Sequence, residues 1–273
     1  MAQSPLSLAF YTVAELNPVA AIEAAAASGC QHAGLRLLNG QPGGSESAIM
    51  TDATTRREVI RRFRECGLRP LDANTARIVP QTDIEAFKPF MGVAAECGAR
   101  HVLATGNDPE PARLAGNFAA LAQLAGEHGL TVEIEFVPWM TIASVLDARR
   151  LIEEIGAPNI GIAVDALHFQ RSDTSLADIA SAPPQYFRSM HLCDAPGSWV
   201  QDTESLLHTA VHERLPPGEG AIDLIGLMRA LPLGIPIALE VPMTTLAKTM
   251  PARDRAIRVA DAARRVLAQA FPD

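Results

Sequence analysis

Cysteine is scarce: the 273 residues hold four, at positions 30, 66, 97 and 193, and none stands in a CxxC or other paired spacing. That excludes a disulfide framework, and the four read as small apolar residues of a reducing compartment. Positive charge is also short. Lys and Arg number 23 against 31 Asp and Glu, a net charge of −8 with a pI near 5.4, so no basic footprint for nucleic acid is present. No apolar run approaches the roughly 18 residues of a membrane span. The start MAQSPLSLAFYTVAEL lacks a basic region followed by a cleavable apolar stretch, so no secretory signal is expected and the expected location is cytoplasmic. A chain of this length buries a large core and needs no metal or disulfide staple to fold.

What is present is one pattern repeated from end to end. Eight short apolar runs read as strands: Leu6–Thr12, His32–Leu38, Leu68–Asn74, His101–Thr105, Thr131–Phe136, Ile160–Asp165, Phe187–Cys193 and Pro236–Val241. Between them lie windows with the spacing of one buried helix face. Arg253–Ala270 places apolar side chains at 256, 259, 260, 263, 266, 267 and 270. A second window carries Leu114, Ala115, Phe118, Leu121, Ala122 and Ala125, and a third Val59, Ile60, Phe63 and Cys66. Glycines 29, 67, 98, 129, 156 and 234 fall where each helix should stop before the next strand. Strict alternation predicts parallel strands with right-handed crossovers. Eight such units fit a closed α/β barrel, a single (β/α)8 TIM barrel, with residues 1–273 as one domain. An open dinucleotide-binding sheet is disfavoured because no Gly-rich loop follows the first strand. Asp194–Gly220 is long for a strand-to-helix loop and is expected to be functional.

Catalytic groups of such a barrel project from the C-terminal strand ends. Strand five ends at Glu135 and strand six at Asp165, with His168 three residues on; strand seven offers His191 and Asp194, and strand eight ends at Glu240. A lone acid at a strand end is usually a solvated loop acid or a helix N-cap. Four consecutive strands delivering Glu135, Asp165, His191 and Glu240 to one rim is a different matter, because three converging carboxylates repel one another strongly in a low-dielectric site. One divalent cation removes that penalty. A mixed oxygen and nitrogen donor set suits Mn, Mg, Co or Zn without choosing among them. His32 and His101 sit at strand starts, the stability face, and His128, His208 and His212 on helical or loop segments; none is assigned a role.

The segments VEIEFVPW, GIAVDALHFQRSD, MHLCDAPG, ERLPPGEGAID and ALEV resemble the xylose isomerase-like TIM barrels, the sugar phosphate isomerases and epimerases. The resemblance covers nearly the whole chain and is most specific over its second half. It implies that Glu135, Asp165, His191 and Glu240 bind one divalent metal. It implies further that His168 contacts substrate or a metal-bound water, and that Arg214, just before PGEG, binds substrate. One departure concerns strand two, where members often carry G-V-E and this chain has AGLRLL with Arg36. Strand alternation turns Glu133 to the same side as Glu135, one layer deeper, beside the small residues Ala163, Ser189 and Ala238. A buried carboxylate must be paired or protonated. Either Arg36, Arg171 or a buried hydroxyl partners Glu133, or Arg36 reaches the rim and binds an anionic substrate.

Glu135 and Glu240, on opposite sides of the expected metal, suit removal of a proton beside a carbonyl and its return from the other face. With His168 as an acid, the same set suits loss of a hydroxyl. Trp139, Phe10, Tyr11 and Phe169 are placed to wall a sugar-sized cleft, and Arg36, Trp139, Arg171 and Arg214 are the expected substrate-binding residues. The leading expectation is an isomerase or epimerase of a small polyhydroxylated carbonyl compound. The alternative is a dehydratase of an inosose or a 3-dehydroshikimate-like keto compound; a non-catalytic sugar-binding barrel is a third reading. An apurinic endonuclease is disfavoured because strands three and four end without histidine. The expected partner is a small carbohydrate-like molecule, with a homo-oligomer left open.

Overall fold

The computed structural model describes residues 4–38 and 46–272. Eight strands, β1 (Leu6–Leu8), β2 (His32–Arg36), β3 (Arg69–Ile78), β4 (His101–Gly106), β5 (Thr131–Glu135), β6 (Ile160–Asp165), β7 (Phe187–Leu192) and β8 (Ile237–Leu239), pair in chain order. All neighbours are parallel, and β1 closes the cylinder onto β8 through Leu6↔Ile237 and Leu8↔Leu239. The period of two sorts each strand: in β5, Val132 and Ile134 face the helices while Glu133 and Glu135 face the axis.

The helices follow the expected faces. Ala252–Ala270 buries Ala256, Val259, Ala260, Ala263, Val266 and Ala270, and Pro111–Glu127 buries Leu114, Ala115, Phe118, Leu121, Ala122 and Ala125. Gly98 (φ 87°) and Gly156 (φ 66°) end their helices in the left-handed region that a side chain would strain. The main core is the shell between strands and helices, where Phe90, Phe118 and Phe136 have almost no exposed surface. Among the described residues no helix is long and apolar enough to cross a membrane.

β2 and β8 are two and three residues shorter than expected, and three further differences shape the rim. β1 stops at Leu8 instead of Thr12, because Ala9 N–H and the Thr12 hydroxyl both donate to Leu239 O, at 3.0 and 2.7 Å. The Thr12 hydroxyl also accepts from Val241 N–H at 2.8 Å, so Phe10–Val13 coils across the rim as a 3₁₀ turn. β3 runs on past Asn74 to Ile78, its register with β4 shifting between Ala73 and Ala76, and this carries Arg77 to the rim opposite Thr105. Within 194–220 lies a helix, Thr203–His212, whose first turn is capped by Asp202 accepting from Ser205 N–H at 2.8 Å.

Inside the barrel, the hydroxyl foreseen for Glu133 belongs to Ser189, which donates to Oε2 at 2.8 Å. His101 Nδ1 lies 3.3 Å from Oε1, so this histidine, assigned no role from sequence, completes the pocket of the acid. Burial lifts Glu133 from 4.5 to about 8, against the opposing Ser189 hydrogen bond, and pushes His101 down to about 4. Both are therefore neutral near pH 7. A carboxyl that is a weaker acid folded than unfolded stabilises the fold fully at pH below 4.5 and loses that contribution as pH rises to about 8. The stability of the wild type relative to Glu133→Gln, read from urea midpoints, is accordingly expected to fall steadily across that window. A difference independent of pH contradicts the protonated acid.

Candidate metal centre

Glu135 and Asp165 end β5 and β6, His191 is the penultimate residue of β7, and Glu240 directly follows β8. One donor atom from each lies within 4.8 Å of all the others. His191 Nδ1 stands 3.1 Å from Glu135 Oε1, 3.7 Å from Glu240 Oε2 and 4.0 Å from Asp165 Oδ2. All four side chains are buried.

Local structure sets each orientation. Asp165 caps the helix Ala166–Arg171, its Oδ1 accepting from His168 N–H at 3.0 Å, which leaves Oδ2 for the cluster. That helix turns the buried His168 into the cavity above, edge-on to Trp139 at 5.2 Å between ring centroids. Arg214 enters from a segment pinned by the bridges Asp194↔Leu215 and Glu213↔Met243. Asp194 organises this turn, accepting from the N–H groups of Ala195, Gly218 and Ile222 at 2.8, 2.9 and 3.0 Å. A Cβ at Gly220 would lie 2.3 Å from Asp194 Oδ1, which explains the glycine of PPGEG.

Arg214 Nη1 donates to Asp165 Oδ2 at 2.6 Å, Nη2 pairs with Glu240 Oε2 at 3.0 Å, and Nε donates to Ala210 O at 2.9 Å. Burial works against these charges, yet the Arg214 guanidinium and the nearby His168 and His191 hold Asp165 well below the usual carboxylate range. Likewise burial alone would lower His191, but Glu240, Asp72 and Glu135 outweigh it and raise the imidazole well above its ordinary value. Burial pushes the Cys193 thiol up to about 12, leaving it a neutral neighbour of Arg214.

Even with His191 protonated, one guanidinium and one imidazolium do not balance the four carboxylates of Glu135, Asp165, Glu240 and Asp72. Both nitrogens of His191, and Glu135 Oε1, are buried without a hydrogen-bond partner among the described residues. Unpaired donors of this mixed kind, converging within 4.8 Å, fit one divalent cation.

Glu135, Glu240, His168, Trp139 and Arg214 line one cavity of about 110 Å³ together with Tyr11, Asn74, Arg77 and Thr105. Asp165 and His191 lie in the buried cluster with Glu135 and Glu240. Arg214, expected to reach substrate, spends its polar atoms on Asp165, Glu240 and Ala210. The Arg36 guanidinium sits over the Phe10 and Tyr11 rings, 4.7 and 5.4 Å from their centroids. Arg171 is elsewhere: it stacks on Trp199 at 3.9 Å and lines a neighbouring cleft. Phe169 packs against the core.

Sequence reasoning passed over Asp72. Its carboxylate is buried inside the barrel, Oδ2 3.8 Å from His191 Nε2, and neither oxygen has a hydrogen-bond partner among the described residues. Gly34 makes the room, since a Cβ there would lie 2.6 Å from Asp72 Oδ1. An acid flanked by Leu71 and Ala73 was the available signal. Removing one partner of a buried charge cluster leaves the rest uncompensated. Arg214→Met is therefore expected to lower the unfolding free energy by about 3–5 kcal/mol. Saturating divalent cation should raise its melting temperature more than that of the wild type. Denaturant unfolding that shows no loss contradicts this role.

A family model described as xylose isomerase-like TIM barrel matches residues 22–266. An inosose isomerase of Bacillus licheniformis is 27% identical over 154 residues, 52% of this chain and 52% of that protein. A 3-dehydroshikimate dehydratase of Pseudomonas aeruginosa is 28% identical over 120 residues, 44% of this chain and 18% of the relative. The chain thus spans about half the length of the first relative and under a fifth of the second. The crystal structure of IolI protein with a bound zinc atom superposes with a TM-score of 0.78 at 17% identity, covering 98% of this chain and 100% of that one, a likeness of fold. With a closed eight-stranded barrel and a family match across most of its length, the chain belongs to the xylose isomerase-like TIM barrel family.

Proposed function

We propose that the protein is a metal-dependent isomerase or epimerase of a small polyhydroxylated carbonyl compound. The observation that carries this reading is the pair Glu135 and Glu240, which belong to one buried cluster, come from non-adjacent strands and line the same cavity. The similarity to an inosose isomerase supports it. Glu135, Asp165, His191 and Glu240 would hold the cation. When bound, a divalent cation polarises the substrate carbonyl and lowers the cost of negative charge beside it.

The chain's own groups supply the rest. Each of Glu135 and Glu240 has two oxygens, so one can face the cluster while the other reaches a substrate C–H. Glu135 takes the proton from the carbon next to the carbonyl, Glu240, having first taken up a proton from solvent, returns one from the other side, and Glu135 then releases its proton to solvent. Arg214 holds Glu240 and Asp165 in place. Asp72 faces His191 Nε2 and favours the proton there, which keeps Nδ1 turned to the cluster as a donor. Trp139, Val137 and Val211 wall off water.

A lyase is the second reading, favoured by His168. Its Nδ1 is buried without a hydrogen-bond partner among the described residues, and its ring lines the cavity where a departing hydroxyl needs a proton. The similarity to a 3-dehydroshikimate dehydratase supports it.

The test is C–H exchange in D₂O by the cation-loaded protein on a panel of ketoses, inososes and keto acids. Deuterium is expected at the carbon beside the carbonyl, with Glu135→Gln and Glu240→Gln each slowing exchange about 100-fold or more. A growing enone or aromatic absorbance identifies the lyase; neither signal on any substrate overturns both readings. Asp72→Asn is expected to weaken divalent-cation binding about 10–100-fold in competition with a chelating dye. Unchanged affinity removes Asp72 from the centre.

A further inference from the structure

Next to Glu135 the cavity is walled by the ends of β3 and β4, which bring an arginine, a hydroxyl and an amide to the rim and no acid. Arg77 and Thr105 are register partners there, and Asn74 lies three residues earlier on β3. Thr105 and Asn74 are 4% and 6% exposed, yet Thr105 Oγ1 and Asn74 Oδ1 have no hydrogen-bond partner among the described residues. Arg77 Nε is unpartnered as well, and no carboxylate of the described residues forms an ion pair with this half-buried guanidinium. Arg214, the other cation of the cavity, is committed to Asp165 and Glu240.

A solvated rim arginine is the ordinary explanation for a lone cation, and here it falls short. Leaving a buried hydroxyl or amide oxygen unpaired is costly, so Thr105 Oγ1 and Asn74 Oδ1, beside an arginine without a counter-ion, call for a polar ligand. The Thr105 hydroxyl, the Arg77 guanidinium and the Nδ2 group of Asn74 offer O–H and N–H donors around one positive charge, the set that recognises a carboxylate or phosphate, while Asn74 Oδ1 is an acceptor suited to a substrate hydroxyl. The second guanidinium nearby, Arg36, stacks on Tyr11, whose ring also lines this cavity. A bound divalent cation would make the cavity more positive still.

We propose that Arg77, Asn74 and Thr105 form an anion subsite, and that the substrate carries a carboxylate or phosphate which this wall binds while its carbonyl faces Glu135 and Glu240. The proposal rests on reading the cavity as the substrate site, and it narrows the substrate from polyhydroxylated carbonyl compounds to anionic ones.

Calorimetric titration of the full chain with inorganic phosphate and with acetate, in metal-free and Mn²⁺-loaded forms, tests it. At least one anion is expected to bind saturably, and Arg77→Gln to weaken it about tenfold or more, with Arg77→Lys keeping part of the affinity. Thr105→Val, which removes the hydroxyl and keeps the charge, is expected to weaken it by a smaller factor and serves if Arg77→Gln does not fold. Preference for phosphate points to a phosphorylated substrate and preference for acetate to a sugar acid or keto acid. Equal binding by wild type and Arg77→Gln assigns the anion to the cation and overturns the proposal, as does no saturable binding of either. Cation affinity, read by chelator competition on the same samples, should be unchanged in Arg77→Gln. A wild type that binds phosphate but no cation sinks the metal-centre reading and leaves the anion subsite standing.

Discussion

Three carboxylates forced together at the mouth of a closed barrel repel one another, and that repulsion governs what surrounds them. Parallel closure leaves Glu135, Asp165 and Glu240 little freedom to move apart, because each stands at a strand end fixed by neighbours on both sides. Compensation therefore has to be delivered to them. Arg214 brings one positive charge, and the turn that carries it is held by three backbone N–H groups donating to Asp194. The charge left over is what a divalent cation would compensate.

The same strand shows how environment separates two identical side chains. Glu133 and Glu135 both face the axis, two residues apart. Below, Glu133 is enclosed by Ser189 and a neutral His101, so burial decides and the proton stays. Above, Glu135 meets His191 and opens onto the cavity. A barrel axis lined by acids thus divides into a neutral, stabilising layer and a reactive one, at no change in residue type.

Legibility followed the length and purity of each apolar run. β5 (TVEIE) and β6 (IGIAVD) are short strands rich in Val and Ile that each end on an acid, so Glu135 and Asp165 were readable at the residue. β3 was not, because Asn74 and Thr75 interrupt its apolar pattern and concealed the four residues that bring Arg77 to the rim. Asp72 was hidden for a related reason: its burial depends on the absent side chain of Gly34, a feature of the facing strand. Arg214 was recognised as a site residue, but its partners lie 49 and 26 residues away, a distance over which no local pattern carries charge pairing. Arg171 shows the converse, since proximity in sequence to His168 did not bring it to the same cavity.

The barrel's two halves consequently do different work. β5 to β8 gather acids and an imidazole, a set that suits proton transfer beside any activated carbonyl and does not by itself separate isomerisation from loss of water. Selection then has to come from the groups that hold the remainder of the substrate, because binding energy spent away from the reacting carbon fixes which bonds are presented to Glu135, Glu240 and His168. On the anion-subsite proposal those groups are the Thr105 hydroxyl and the Arg77 guanidinium, whose Oγ1 and Nε have no hydrogen-bond partner among the described residues. A substrate anchored there by an anionic end has one orientation available. Which hydroxyl then lies beside His168, and which C–H beside Glu135, decides the reaction.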